Sequence, residues 1–166
     1  MLGNRKLPMK DLAVLLQNDG LSCVRTYIQS GNVVFRSYKA SARALSTQIA
    51  QLIMTKVGFQ PQVMVLSEQE LAAAIRGNPF PAAVRDHKSL HLYFLSERPK
   101  NPDLGALTKL RMGREAFALK RGVFYLHTPE GFAASKVHAR VERCLGVHAT
   151  ARKWRTVNQL LEMTDD

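Results

Sequence analysis

The sequence has few of the residues that define several common protein classes. It holds two cysteines, Cys23 and Cys144, in 166 residues, which excludes a disulfide framework and a four-cysteine zinc site. No apolar run approaches the roughly 20 residues that a membrane-spanning helix needs, and the N-terminal stretch lacks the apolar core of a secretory signal. The 46% of hydrophobic residues indicates a globular protein. Unpaired cysteines without an export signal predict a cytoplasmic one.

Motifs that define a reaction are also absent. The five histidines show no metal-ligand spacing, and there is no glycine-rich loop of the kinds that hold phosphates. Ser30 lacks the Gly-x-Ser-x-Gly pattern of an activated nucleophile. The carboxylates show no spacing typical of an acid–base pair. We therefore expect no metal and no cofactor, and the sequence leaves open whether the protein is an enzyme.

Acidic residues are scarce, and the excess of positive charge is concentrated in one region. The chain has 24 Lys and Arg residues against 13 Asp and Glu residues, a net charge of +11. Residues 98–155 hold 13 of the basic side chains and only 4 acidic ones. A surface of this kind attracts polyanions such as nucleic acid and speeds their capture. Charges that are merely solvated would give the same composition, so both interpretations stay open.

Hydrophobic periodicity predicts alternating helices and strands in the first part of the chain. The glycine- and proline-rich stretch Gly77-Asn-Pro-Phe-Pro81 follows them and is the best internal boundary. The predicted elements are a helix over 8–19, a hairpin of 23–28 and 33–36, a helix over 41–57, a strand over 61–66 and a short helix from Ser67 to about Arg76.

The same order returns in the second part with one more strand. The sequence predicts strands over 89–95, 116–120, 123–127 and 148–152, and helices over 103–110, 131–145 and 155–163. This order is β-α-β-β-α-β, the ferredoxin-like arrangement. We therefore predict an α+β fold of two tandem ferredoxin-like subdomains, 1–80 and 81–166, of which the first lacks its N-terminal strand. A strand from another molecule could fill that gap, which would give a homo-oligomer through the incomplete sheet.

Two stretches carry a family resemblance. They are Tyr27-Ile-Gln-Ser-Gly-Asn-Val-Val-Phe35 and Ala149-Thr-Ala-Arg-Lys-Trp-Arg-Thr-Val157, and they resemble the signature stretches of the DUF1697 family, a bacterial family of unknown function. The resemblance implies a pair of ferredoxin-like subdomains and a bacterial source, but no reaction. Family members usually begin with a strand and an Arg-Gly-Ile-Asn-Val-Gly-Gly-like segment, and this chain starts near its end, at Gly3-Asn4. It also has Arg152-Lys153-Trp154 where the family commonly has Arg-Asn-Trp.

The first candidate site is an anion pocket made of two segments. A hairpin turn offers backbone N–H groups and small polar side chains to an anion, and the start of the last helix carries partial positive charge. Such a pocket would bind a small anionic ligand or serve an enzyme. The alternative is that the turn residues are simply good turn formers and that the single tryptophan packs in the core. The residues concerned are Gln29, Ser30, Gly31 and Asn32 in the turn, and Arg152, Trp154, Arg155 and Thr156 at the helix.

The second candidate site is a nucleic-acid surface on the predicted second sheet. RNA-recognition domains share the β-α-β-β-α-β order and stack bases on aromatic side chains of the sheet. Tyr93 and Tyr125 are predicted to share one face here, together with His91 and His127 by the same alternation. Arg121 belongs to a weak match to the RNA-recognition strand motif. The alternative is that this face packs inside the protein.

A stripe of cations accompanies that surface. Lys136, Arg140 and Arg143 follow one another at helical spacing along the predicted 131–145 helix, so they could follow a row of phosphates. The alternative is an ordinary solvated helix face. The function itself stays open. We rank non-enzymatic binding of nucleic acid or another polyanion first, a small anionic ligand or enzyme pocket second, and a ligand-free structural or interaction module third.

Overall fold

Helices and strands alternate along the whole of the described chain. The computed structural model describes residues 7–27, 31–38 and 41–165. Within these residues there are six helices and two sheets, so the α+β fold class is confirmed. The elements are α1 (Met9–Asn18), β1 (Ser22–Tyr27), β2 (Asn32–Arg36), α2 (Ala42–Val57), α3 (Glu68–Arg76), β3 (Leu90–Leu95), α4 (Leu104–Leu110), β4 (Ala116–Lys120), β5 (Val123–His127), α5 (Val141–Leu145), β6 (Ala149–Lys153) and α6 (Trp154–Met163), with 3₁₀ turns at Pro81–Arg85 and His138–Arg140.

The chain divides into two compact units. Unit 1 is Met1–Glu68 together with Leu160–Asp166, and unit 2 is Gln69–Gln159. Helix α3 therefore falls almost entirely in unit 2, although the sequence analysis places it in the first subdomain, and helix α6 runs from one unit into the other. The subdomain boundaries at 1–80 and 81–166 stay predictions.

Unit 1 consists of a hairpin with helices around one hydrophobic core. Strands β1 and β2 pair antiparallel, with an irregularity between Ser22 and Arg25. Helix α2 begins at Ser41, whose Oγ accepts a hydrogen bond from the backbone N–H of Ala44 at 3.1 Å, and it ends at Gly58 in the left-handed conformation, as its sequence signals predict. The most buried members of this core are Leu16, Leu21, Val24, Leu45, Ile49 and Ile53.

The strand predicted over residues 61–66 is not formed in the described chain, so that prediction is wrong. Val63 and Val65 nevertheless pack against the core of unit 1, and Gln62 is the one exposed residue of the segment. A strand needs a neighbour for its backbone hydrogen bonds. In unit 2 the final strand β6 pairs with the opening strand β3, and unit 1 has no such opening strand among its described residues.

Unit 2 contains a four-stranded sheet in the order β4-β5-β3-β6, and all neighbouring strands in it are antiparallel. Its elements follow one another as β3, α4, β4, β5, α5 and β6, the order predicted for this stretch. Strand β3 pairs on both sides, and five of its six residues are buried. Its sequence, Leu-His-Leu-Tyr-Phe-Leu, is apolar except for His91, because both of its faces are covered.

Helices α4 and α5 cover one face of this sheet. Helix α4 begins at Asp103, whose Oδ1 accepts a hydrogen bond from the N–H of Ala106 at 3.0 Å. The core beneath them is apolar throughout and includes an edge-to-face pair of rings, Tyr93 and Phe124. Its buried members are Tyr93, Leu107, Phe124, Leu126, Val137, Val141 and Leu145.

The predicted helix over 131–145 is much shorter in the structure. A 3₁₀ turn covers His138–Arg140, and helix α5 covers only Val141–Leu145. The Oγ of Ser135 accepts the backbone N–H of His138 at 3.1 Å, which is the capping bond of a helical start. Gly131 has a φ of 121°, which no helix contains. The helical conformation therefore begins only after Ser135.

Candidate functional site

The two tyrosines of the predicted nucleic-acid surface lie on opposite faces of the sheet. The register pairs Leu92 with Tyr125 and Tyr93 with Phe124. Directly paired residues point to the same face, and successive residues alternate. The prediction that Tyr93 and Tyr125 share a face is therefore wrong. The same register separates His91 from His127.

Each tyrosine is buried and has a hydrogen-bond partner inside unit 2. The hydroxyl of Tyr93 lies 2.8 Å from Nδ1 of His138, and the hydroxyl of Tyr125 donates to the carbonyl oxygen of Ala74 in α3 at 2.5 Å. Their exposed fractions are 4% and 1%, and burial raises the pKa of both phenols. Neither ring offers a face to a stacking base, which is how RNA-recognition sheets work.

A buried cluster of aromatic rings and histidines lies beside Tyr93. The ring of His91 stacks on Phe132 with centroids 3.6 Å apart, and Phe132 also contacts His138 at 3.9 Å. Burial, reinforced by Lys153 and His138, lowers the pKa of His91 to about 4, and burial lowers the pKa of His138. The Nδ1 atom of His91 makes no hydrogen bond within the described residues. Protonation of this cluster would therefore work against folding.

Sequence reasoning missed most of this cluster. It named His91 only as a companion of His127, and it gave His138 and Phe132 no role. One signal was present, because His91 stands two residues before Tyr93 in the same strand and therefore points to the same face. The contacts from Phe132 and His138 depend on the irregular segment that the sequence analysis interprets as a helix.

Lys136, Arg140 and Arg143, called the cation row here from their order along the chain, are all exposed, but they do not share a helix. Lys136 and Arg140 precede α5, and only Arg143 lies in it. The residues that alternate with them anchor the segment, since Val137 and Val141 are 0% and 1% exposed. Within residues 7–27, 31–38 and 41–165, none of the three cations forms an ion pair. Their positive charges therefore face the solvent uncompensated.

The acidic residue within this row points elsewhere. Glu142 accepts the backbone N–H of Ala149 in β6 through Oε1 at 3.1 Å. Arg121, the remaining predicted cation, is exposed at the turn between β4 and β5 with a φ of 48°. By contrast, Arg114 is engaged by Glu130 at 3.1 Å.

The turn half of the predicted anion pocket is only partly described. Gln29 and Ser30 lie outside the described residues. Gly31 is exposed, with a φ of 81°, which a glycine adopts without strain. Asn32 is buried, and its Nδ2 donates to the carbonyl oxygen of Tyr27 at 3.3 Å. That side chain therefore closes the hairpin rather than facing a ligand.

The helix half of the pocket alternates between exposed and buried residues. Arg152 is half-buried, its Nη1 donates to the carbonyl of Ala151 at 2.9 Å, and burial lowers its pKa. Trp154 is half-buried at the start of α6, Arg155 is exposed and Thr156 is buried. The turn belongs to unit 1 and Arg152–Thr156 to unit 2, so the anion pocket stays a prediction.

Two general features are absent from the described chain. No group of three or more His, Cys, Asp or Glu residues in it has the arrangement of a metal site. None of its helices combines the length and the apolar character that crossing a membrane requires.

Comparison with known proteins adds a family. The family model described as "Protein of unknown function (DUF1697)" matches residues 1–125 of the chain. The chain belongs to the DUF1697 family. No curated protein matches it. Among solved structures, "conserved bacterial protein SP0830 from Streptococcus pneumoniae" is similar, with 24% identity and a TM-score of 0.73 over 98% of this chain and 92% of that one. At this identity the similarity concerns the fold alone.

Proposed function

We propose that this DUF1697 protein binds polyanions, nucleic acid first among them, without catalysing a reaction. The observation that carries the proposal is the row of Lys136, Arg140 and Arg143, which is exposed and without ion pairs in the described chain. The buried residues Val137 and Val141, which follow Lys136 and Arg140 in the chain, anchor the backbone of this segment. Because the backbone of this segment is anchored, binding to phosphates would order only the three flexible side chains and not the chain that carries them.

The geometry favours recognition by charge rather than by base stacking. Because Tyr93 and Tyr125 are buried, the sheet contributes no aromatic platform. Affinity that depends on phosphate contacts falls steeply as the salt concentration rises and depends little on sequence. Arg121, on the exposed turn between β4 and β5, would add a further phosphate contact. A cytoplasmic and bacterial protein, as the sequence predicts, would meet RNA at high concentration.

The experiment measures binding of a fluorescein-labelled 20-nucleotide RNA by anisotropy between 25 and 200 mM salt. We expect the triple variant Lys136→Gln, Arg140→Gln, Arg143→Gln to bind about tenfold more weakly at low salt, and its log–log salt slope to become shallower by about 2. A scrambled RNA of equal length should bind as tightly as the original.

A matched control removes the same charge elsewhere in unit 2. Arg76, Arg85 and Lys88 are exposed, and their triple replacement by Gln also lowers the net charge by three. This control should keep most of the affinity. If both triple variants lost the same RNA affinity, binding would depend only on net charge, which would contradict the proposed surface. Absence of binding at 25 mM salt would contradict it as well.

We also infer that the two units are versions of one β-α-β-β-α-β layout. The hairpin β1–β2 corresponds to β4–β5, each hairpin is followed by a helix, and segment 61–66 then corresponds to β6. The described residues of unit 1 would then hold no counterpart of β3. This is the tandem ferredoxin-like arrangement, and the order of the elements supports it.

A further inference from the structure

His138 lies among the cations of the cation row and is tied to the sheet of unit 2. It stands two residues from Lys136 and two residues from Arg140 in the chain, so its Cα atom lies within about 8 Å of each of theirs. Its side chain is half-buried, whereas the two cations are exposed. Its ring packs against Phe132 with centroids 3.9 Å apart, and its Nδ1 lies 2.8 Å from the hydroxyl of Tyr93. These two contacts hold the imidazole in one orientation.

The hydrogen bond to Tyr93 determines which nitrogen of His138 carries the hydrogen. The phenol is 4% exposed, and Nδ1 of His138 is the one partner that its hydroxyl has within the described residues. If the hydroxyl accepted a hydrogen bond from Nδ1, its own O–H would be buried without an acceptor, which costs free energy. The hydroxyl therefore donates to Nδ1. In a neutral imidazole the other nitrogen, Nε2, then carries the hydrogen.

Nε2 of His138 is open to the solvent. It makes no hydrogen bond in the part of the chain that the structure describes. The buried side-chain atoms that lack a partner there are Nδ1 of His87 and Nδ1 of His91, so Nε2 of His138 is not a buried atom. Burial lowers the pKa of His138 and raises the pKa of Tyr93. At pH 7.5 both side chains are therefore neutral, and Nε2–H is an uncharged donor that faces water.

We propose that His138 contacts phosphate beside the cation row, and that its Nε2–H donates a hydrogen bond to a phosphate oxygen of the bound RNA. Tyr93 is the positioning residue, because its buried hydroxyl occupies Nδ1 and leaves the hydrogen on the solvent side of the ring. Uncharged donors make many phosphate contacts in nucleic-acid complexes, beside those of Lys and Arg. This assignment rests on the proposed function, to which it adds a contact that releases no counterion.

The first test compares two amide variants of His138 in the RNA-binding assay at pH 7.5. The side-chain nitrogen of Gln reaches about as far from the backbone as Nε2 does, whereas that of Asn reaches only as far as Nδ1. His138→Gln should therefore bind RNA within about twofold of the parent protein, and His138→Asn about fivefold more weakly, the loss expected for one hydrogen bond. The log–log salt slope should be unchanged in both, because neither variant removes a charge.

The second test locates the hydrogen directly. In the parent protein labelled with ¹⁵N, long-range ¹H–¹⁵N NMR spectra at pH 7.5 should show the hydrogen of His138 on Nε2. In Tyr93→Phe the form with the hydrogen on Nδ1 should appear as well, because Nδ1 no longer accepts a hydrogen bond, and RNA affinity should fall about twofold. His148 is exposed in unit 2, so His148→Asn is the matched control and should bind RNA as the parent protein does.

Several results would overturn the proposal. These are a hydrogen on Nδ1 of His138 in the parent protein, equal RNA affinity of the Gln and Asn variants, and an equal loss in His148→Asn. A shallower salt slope in His138→Asn would also overturn it, since that would indicate a lost charge. If the triple variant of the cation row weakens binding and His138→Asn does not, this proposal fails and the proposed function stands. If the parent protein binds no RNA at 25 mM salt, both fail.

Discussion

Units 1 and 2 have similar local sequence patterns, but their β-rich segments form different numbers of paired strands among the described residues. In unit 2 the central strand β3 joins β5 to β6, and the result is a four-stranded sheet. In unit 1 a comparable hairpin stays a two-stranded ribbon, and segment 61–66 forms no strand among the described residues. Two-stranded ribbons are marginal on their own. The difference indicates that the central strand, more than propensity, decides whether a β-rich segment pairs.

The largest expected effect comes from the centre of the complete sheet. Leu92 in β3 is fully buried, so Leu92→Ala should lower the free energy of unfolding of unit 2 by about 3–4 kcal/mol through lost burial and a residual cavity. Urea unfolding followed by Trp154 fluorescence measures it.

A position in the unpaired segment 61–66 of unit 1 should respond less. Val63 is only half-buried beside unpaired backbone, so Val63→Ala should cost about 1 kcal/mol, measured by hydrogen exchange of the α2 amides. Equal costs at the two positions would break the contrast between the units.

Acid should act mainly on unit 2, through His91. Its pKa of about 4 in the folded protein lies below the ordinary value of 6.5 in the unfolded chain. The unfolded state therefore binds the proton first, and stability present above pH 6.5 is lost as the pH falls towards 4, by at most about 3 kcal/mol. Urea unfolding at pH 7 and pH 4.5 checks this.

His91→Phe provides the matching variant, because it keeps a ring to stack on Phe132 and removes the titration. It should lose less stability on acidification than the parent protein does. His148 is exposed, so His148→Gln serves as the control for removing an imidazole elsewhere in unit 2. An unchanged acid response in His91→Phe would remove His91 as its source.

The sequence predicts elements with strong local signals well and tertiary relations poorly. Helix α2 follows its capping Ser41 and its terminal Gly58, and the β4–β5 hairpin has the predicted bounds. The faces of Tyr93 and Tyr125 depend on register. In the pairing of β3 with β5, odd-numbered residues of β3 lie opposite even-numbered residues of β5. Tyr93 and Tyr125 are both odd-numbered, so their side chains lie on opposite faces of the sheet. A shift of one residue in the register moves every side chain of a strand to the opposite face. The local sequence pattern does not determine the register.

Cys23 is a smaller example of the same limit. Its place in a β-rich run predicts a small core residue, but it is exposed with a φ of 51°. It lies at the irregularity between Ser22 and Arg25, where an extra residue reorients the side chain. Cys144, in contrast, packs partly buried against the core of unit 2.

Intermediate effects are expected from the two buried phenols. Tyr125→Phe leaves the carbonyl of Ala74 without its donor, and Tyr93→Phe removes the contact with His138. Each should cost about 1–2 kcal/mol of unfolding free energy. Tyr38 is fully exposed, so Tyr38→Phe should cost nothing measurable. Phenol variants as stable as the parent protein would show that neither hydrogen bond holds its face of the sheet in place.

The smallest expected losses of stability come from removing one helix cap in each unit, and we expect the two losses to be equal. Ser41 caps α2 in unit 1 and Asp103 caps α4 in unit 2, with side-chain hydrogen bonds of 3.1 and 3.0 Å. Ser41→Ala and Asp103→Ala should each cost about 1 kcal/mol, because a cap satisfies a backbone N–H locally. Hydrogen exchange of the first-turn amides measures both. A much larger cost for Ser41→Ala would mean that unit 1 depends on its helix caps more than unit 2 does, whereas equal costs would assign the contrast between the units to strand pairing.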